Sequence, residues 1–429
     1  MIKMNLKVRD TNKSLYAIVL FIGIFMPCLI RVRMQYIMLG IEVAYIVLKV
    51  ISTRKIKIYN VPVKMLACFL PFYIYYTILV VSKIVTEDAY SSVYRIEYSQ
   101  SLSIATYVIA LAIAMMLYKQ QHEINSTTFF QIITIPTVIQ LVFVGLSFLF
   151  PSVKSFFNSL TIKNSFNDTI INVMNSTWYM EWRAYGLAEN VFDGFGFVIS
   201  ILISSVFLYG LSTKKKKITV LAWVMLIMPL LNARTGLVLC FVSFMYIMFK
   251  YLNVKRAFSF CVLIAFLIIA FLLLFKYLPH GLQDALSRGV VELKGLAQGE
   301  NVGVFNQIFG VDIVFPENVL FGAGISPERI TSLTGIDSGY IQSFWRFGII
   351  GTVLLWGGYI ASIVIAYRNT GQKSNKVILV VLLLIMIVYC FKLFLFNSYA
   401  NNFLLFFILF SIGLEERRSE NIVFQLIAG

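Results

Sequence analysis

The chain has 429 residues, 59% of them hydrophobic and 13% charged, with a mean hydropathy of +0.83 and a formal net charge of +16. Soluble globular chains carry nearer 25% charge, so a water-soluble fold with this much apolar surface is excluded. The apolar runs lack period-two alternation, which excludes a β-barrel.

What remains is an all-α, polytopic integral membrane protein. Most runs reach the roughly 17–25 residues needed to cross about 30 Å of hydrocarbon at 1.5 Å per residue. In chain order the predicted spans cover 15–30, 34–51, 61–82, 101–118, 129–150, 187–212, 218–233, 235–250, 257–278, 338–367, 376–396 and 402–414. That makes about 12 transmembrane helices, with a large outer loop between helices 9 and 10. The segments are helices 1–5 (1–150), an outer loop (151–186), helices 6–9 (187–278), the large outer loop (279–337), and helices 10–12 with a tail (338–429). The first span follows Lys3, Lys7, Arg9 and Lys13 without a small-residue cleavage site, and reads as a retained helix.

Lysines and arginines favour the cytoplasmic side. With both termini inside, the clusters Arg54/Lys55/Lys57, Lys214–Lys217, Lys250/Lys255/Arg256, Arg368/Lys373/Lys376 and Arg417/Arg418 all face the cytoplasm. The basic balance is then a record of topology, and nucleic-acid binding is not called for. Cys28, Cys68, Cys240, Cys261 and Cys390 lie inside spans without metal-ligand spacing and read as small buried hydrophobes. No site for a metal or cofactor is legible. The cytoplasmic loops are too short for a nucleotide-binding domain, and no Gly-rich phosphate loop occurs.

The informative residues crowd the outer boundary. Glu181-Trp182-Arg183-Ala184-Tyr185-Gly186 leads into Glu189 and Asp193, four apart at the start of a span. Asn232-Ala233-Arg234-Thr235-Gly236 forms the apex of a helical hairpin whose first arm, 218–233, is about 24 Å long as straight helix. That arm is shorter than the hydrocarbon core, so Arg234 is expected below the surface, facing a watery hollow or an anion rather than lipid. Snorkelling to the interface is the plain alternative. The large loop, with His280 and Arg288, closes through Leu320-Phe321-Gly322-Ala323-Gly324 and Arg329. It then gives Asp337-Ser338-Gly339-Tyr340, and the next span opens through Trp345, Arg346, Gly348 and Gly351. Gly322 and Gly324 allow a tight turn or close backbone approach. Asp337 reads either as an N-cap or as a base. On one helix it would lie about half a turn out of phase with Arg346.

These stretches resemble the O-antigen and capsular polysaccharide polymerases of the Wzy type, and more distantly the O-antigen ligases. The resemblance covers roughly residues 180–365: Arg183–Gly186, Arg234–Gly236, Leu320–Gly324 and Asp337–Gly351. It implies a metal-independent, inverting membrane glycosyltransferase at the periplasmic face of the bacterial inner membrane. Donor and acceptor would be undecaprenyl-pyrophosphate-linked oligosaccharides, and a chain-length regulator protein is a possible partner. The ligases carry a histidine near the place of Asp337, and its absence favours a polymerase.

The chemistry agrees. A departing pyrophosphate needs fixed positive charge, and arginine's planar fork suits phosphate. Arg183, Arg234, Arg288, Arg329 and Arg346, with Tyr340 and Trp182, are the expected substrate-binding set. Arg234 also belongs with Asp337 and Glu189 in the expected catalytic set, where a carboxylate would take the acceptor's proton. A ligase-like transferase and a transporter such as a polysaccharide flippase are the alternatives. A transporter should carry several mid-span ionisable groups, of which Glu42 is the clearest here.

Overall fold

The computed structural model describes residues 17–25, 34–53, 55–86, 91–120, 125–161, 183–188, 192–232, 234–252, 316, 318–325, 338–392, 394–396, 398–415 and 421–425, together with Gln283 and Gln298. The protein is helical. Its helices are α1 (17–25), α2 (Met34–Thr53), α3 (Asn60–Ala67), α4 (Leu70–Thr86), α5 (Ser91–Lys119), α6 (Ser126–Leu149), α7 (Pro151–Thr161) and α8 (Phe192–Ser212). They continue as α9 (Lys216–Val224), α10 (Ile227–Asn232), α11 (Arg234–Tyr251), α12 (Gly339–Asn369), α13 (Lys373–Cys390) and α14 (Tyr399–Glu415).

Among the described residues, six stretches are long and apolar enough to cross a membrane: Asn60–Thr86, Ser91–Lys119, Thr128–Leu149, Gly194–Ser212, Gly339–Asn369 and Lys373–Cys390. Thr235–Tyr251 and Tyr399–Glu415 are shorter apolar helices. Large apolar side chains such as Leu48, Ile51, Ile78, Val85 and Phe249 stand more than 60% exposed. In water such a surface would aggregate, whereas lipid solvates it. Where residues are described, the expected spans fall largely on helices, with non-helical chain as at 187–188, 225–226, 391–392 and 394–396; 257–278 lies outside the described residues.

One small feature is not helical. Strand β1 (Lys55–Tyr59) pairs antiparallel with β2 (Asn421–Gln425), Lys55 opposite Gln425 and Tyr59 opposite Asn421, and ties the turn after α2 to the C-terminal tail. Tyr59 is buried, its amide donates to Met116 Sδ at 3.4 Å, and burial raises its phenol above the ordinary value.

The chain gathers into two compact units. The first comprises Met1–Ile24, Met34–Ile133 and Val311–Gly429; the second comprises Phe25–Arg33 and Thr134–Gly310. In the first, aromatic side chains fill the core, with Phe72 edge-on to Phe347 and Phe396 at 5.0 and 5.3 Å between ring centroids. Close helix packing rests on glycines: a Cβ at Gly358 would meet Phe69 at 2.8 Å, and one at Gly413 would meet Val61 at 2.8 Å. In the second unit, α8 is buried at every position from Phe195 to Gly210. It crosses α11 so closely that a Cβ on Gly236 would lie 2.7 Å from Gly196 Cα.

The span expected at 338–367 is not one straight helix. Gly348, inside α12, has φ 63° and ψ −171° and breaks it into arms 339–347 and 349–369. Tyr340 and Trp356 stack with ring centroids 5.6 Å apart. On a straight helix their Cα atoms would be about 24 Å apart, so the short arm folds back along the long one. A 21-residue long arm covers about 31 Å, enough to cross the hydrocarbon by itself. The crossing needs no more than the long arm.

Candidate functional site

Two constellations emerge, one in each unit, and each joins motifs that lie far apart in sequence. In the second unit, residues 183–188 run as irregular chain and α8 opens only at Phe192. Glu189, expected to share a helix face with Asp193, lies outside the described residues. The segment is gripped by Asn232, the last residue of α10. Asn232 Oδ1 accepts from the Ala184 amide at 2.7 Å, while its Nδ2 donates to the Ala184 carbonyl at 2.7 Å and to Met228 O at 2.9 Å. An asparagine side chain is an amide, so it pairs with a peptide group in both directions, as a neighbouring strand would. It is 2% exposed, and every bond it makes spares a buried polar group from being orphaned.

From the other side, Gln140 of α6 donates to Tyr185 O at 2.5 Å. Gly186 takes φ 63° where a Cβ would press on Phe143 at 3.0 Å, so the tight entry behind Arg183 needs glycine. Tyr185 is buried, edge-on to Phe195 at 5.5 Å. Its hydroxyl accepts from Arg183 Nη1 at 3.0 Å and donates to Asn232 O at 3.5 Å. Arg183 is half-buried, its guanidinium steered by a phenol that is itself docked on the hairpin. Arg234 opens α11 two residues beyond Asn232. The Arg183 segment and the Arg234 apex, 51 positions apart in sequence, therefore meet through Asn232. The hairpin's first arm is itself interrupted, α9 ending at Val224 and α10 starting at Ile227.

In the first unit the loop motif and the broken helix interlock. The short arm's last carbonyls, Trp345 O and Arg346 O, accept from the amides of Ala323 and Gly324 at 2.7 and 2.9 Å. The long arm's first amides, Ile349 and Ile350, donate to Val319 O and Leu320 O at 3.0 and 3.2 Å. One loop thus satisfies backbone groups on both sides of the break, which otherwise would be orphaned. The Tyr75 hydroxyl proton is shared between Phe321 O and Phe347 O at 2.8 and 2.7 Å. Gly322 and Gly348, both at positive φ, touch: a Cβ on either would fall on the other segment's backbone.

Arg346, expected among the substrate-binding residues, is 1% exposed and forms an ion pair with Glu97 of α5, Nη2 to Oε2 at 3.1 Å. Nε and Nη2 also donate to Tyr76 hydroxyl at 3.4 and 3.2 Å. The rings of Phe347, Tyr76 and Phe394 lie 5.3 to 5.9 Å from its guanidinium carbon. Tyr340 also has an internal role: its hydroxyl donates at 2.9 Å to Ile387 O, near the end of α13. The residue capping the short arm is Ser338, not Asp337, and its side chain makes no capping bond. Asp337, Glu189, Glu181, Trp182, His280, Arg288 and Arg329, and the side chain of Arg234, lie outside the described residues.

Three residues here escaped the sequence reading. Gln140 stood alone in an apolar run, a signal of a buried polar duty that went unused. Glu97 was placed outside the fourth span, although α5 begins at Ser91 and buries it. Tyr75 gave no signal at all. No family model and no curated protein sequence matches the chain.

Proposed function

We propose that this protein polymerises undecaprenyl-pyrophosphate-linked oligosaccharide repeat units at the periplasmic face of the bacterial inner membrane. In each cycle an acceptor sugar hydroxyl attacks the donor's anomeric carbon from the face opposite the pyrophosphate. The new C–O bond forms as the bond to pyrophosphate breaks, inverting the configuration; a carboxylate takes the hydroxyl proton, and the lipid pyrophosphate leaves. Arg183 and Arg234 hold the pyrophosphate and offset the charge it gains on departure. Glu189 and Asp337 are the candidates the sequence offers for the base.

The observation that carries this reading is the Asn232 grip, which joins the Arg183 segment to the turn that leads into Arg234. Two guanidinium-bearing segments gathered at the end of a short apolar hairpin suit a dianion tethered to a lipid. The order of motifs described above adds the glycan. A ligase-like transfer onto another lipid would use the same groups. Export of an intact lipid-linked glycan is the reading favoured by the charge buried in the first unit, where Glu42 and the Glu97–Arg346 pair lie within apolar helices.

The test is the lipid-linked glycan profile of cells lacking this protein. Accumulation of single repeat units on the outer leaflet supports polymerisation. Units held on the inner leaflet would make it a flippase, and full-length polymer left on its lipid carrier would make it a ligase.

A further inference from the structure

We infer that Glu42 of α2 is a proton-binding site of the first unit, with the Tyr399 hydroxyl beside it, and that the bound proton holds α2 against α5. Nothing in this depends on the transfer proposed above. Glu42 lies on the buried face of α2, which packs on α5. It is 6% exposed, and Met38 one turn earlier is 1% exposed, whereas Ile41 and Val43 on either side stand 39% and 47% exposed. Among the described residues neither carboxylate oxygen has a hydrogen-bond partner. The Tyr399 hydroxyl of α14 is also buried without one, and it lies close enough to Glu42 for the two to interact electrostatically. Tyr107 of α5 stands edge-on to Tyr399, with ring centroids 4.4 Å apart. The other charged groups on these elements are engaged or distant. Lys49 lies over the Tyr45 ring at 5.6 Å, Glu97 of α5 is held by Arg346, and Lys55 and Lys57 sit on β1, beyond the end of α2.

Filling space does not explain the residue, because a methionine or leucine would occupy the same volume without burying a polar group. A carboxylate in apolar surroundings demands a bound positive charge. Hard metal cations ask for about six oxygens or more; the orphaned atoms here are the two of Glu42 and the one of Tyr399. The void that Tyr399 and Tyr107 border with Ile104 and Asn402 has no room for a water molecule, so a hydrated ion finds no seat there. A proton needs one oxygen and no space. It is taken from the aqueous phase as one O–H bond forms on Glu42, and returned there when that bond breaks. Binding and packing are then linked: the neutral acid tolerates burial between helices, whereas the carboxylate draws α2 toward water.

The experiment takes the infrared difference spectrum between wild type and Glu42→Gln, each purified and placed in liposomes. A parallel sample, with the five native cysteines replaced, carries spin labels at the exposed positions Leu48 of α2 and Ile109 of α5. The difference spectrum should show the carbonyl stretch of a protonated carboxylic acid at neutral pH, unaffected when sodium replaces potassium. Tyr399→Phe, which removes the neighbouring hydroxyl, should shift that band; an unmoved band takes Tyr399 out of the site. As pH rises and the band fades, the Leu48–Ile109 distance distribution should lengthen or broaden in wild type. It should stay fixed in Glu42→Gln, whose neutral amide imitates the protonated acid. An ionised carboxylate at neutral pH overturns the site, and so does an acid band that sodium abolishes, which would make it a metal site. A band that no pH removes, or label distances that ignore its loss, overturns the hold on α2.

Discussion

Asn232 does more than its place in a hairpin apex suggested. Its three hydrogen bonds, two to Ala184 and one to Met228, are buried, so the two termini of its amide are not interchangeable. Asn232→Asp keeps the acceptor but turns an oxygen toward two carbonyl oxygens. Asn232→Ala removes everything and leaves the Ala184 peptide without these partners. Each variant should lose about 2 kcal/mol or more, read as a lowered melting temperature in detergent, with Asp the worse of the two. Equal stability of Asn232→Asp and wild type would remove the grip from the account. Arg234 calls for the complementary experiment, a loss of activity without loss of fold. Arg234→Ala should abolish chain extension at normal membrane abundance, and Arg234→Lys should rescue poorly because a point charge cannot replace a planar fork. Normal polymer lengths in the alanine variant would take Arg234 out of the mechanism.

At the scale of elements, α12 supplies its own control. Gly348 and Gly357 both lie in it, nine residues apart. A Cβ at Gly348 would strike Leu320 O at a backbone angle that side chains avoid; at Gly357 nothing lies within 4 Å. Gly348→Ala should therefore misfold or lose several kcal/mol. Gly357→Ala should be neutral or gain roughly 0.5–1 kcal/mol from helix propensity. Melting curves of the two variants check this directly, and a tolerated Gly348→Ala would mean that the clip is not needed. Much of this was legible in advance. Gly322 and Gly324 advertised close backbone approach, and most helices fell where the apolar runs lay. That the motifs bind each other was not legible, because sequence does not say which backbone a glycine makes room for. Nor was the fold-back: 338–367 holds five glycines in a mostly apolar run, and nothing in the sequence marks Gly348 as the break, so hydropathy reads a single span. The partner of Arg346 was hidden for a similar reason, since Glu97 stands near the start of α5 among polar residues that resemble an exposed helix end.

Across the whole molecule, the sequence was most informative where physics is least specific. Hydropathy and charge demanded many helices in lipid, and the exposed apolar faces agree with that demand. The division into two units was not foreseen. The first unit takes residues from both ends of the chain, and the second is nearly continuous. The second holds Arg183 and Arg234 together, so the charge expected to meet a pyrophosphate belongs to one compact body rather than to scattered loops.

The proposal is that this protein expels a lipid pyrophosphate while joining two glycans. It is tested most directly by purifying the chain, reconstituting it in liposomes with its own lipid-linked repeat unit, and following glycan length together with the lipid released. The account predicts a ladder of lengthening glycans from this protein alone, with one undecaprenyl pyrophosphate freed for each bond made, and no ladder from Arg234→Ala. Repeat units that stay single, or that cross the bilayer intact, would contradict it.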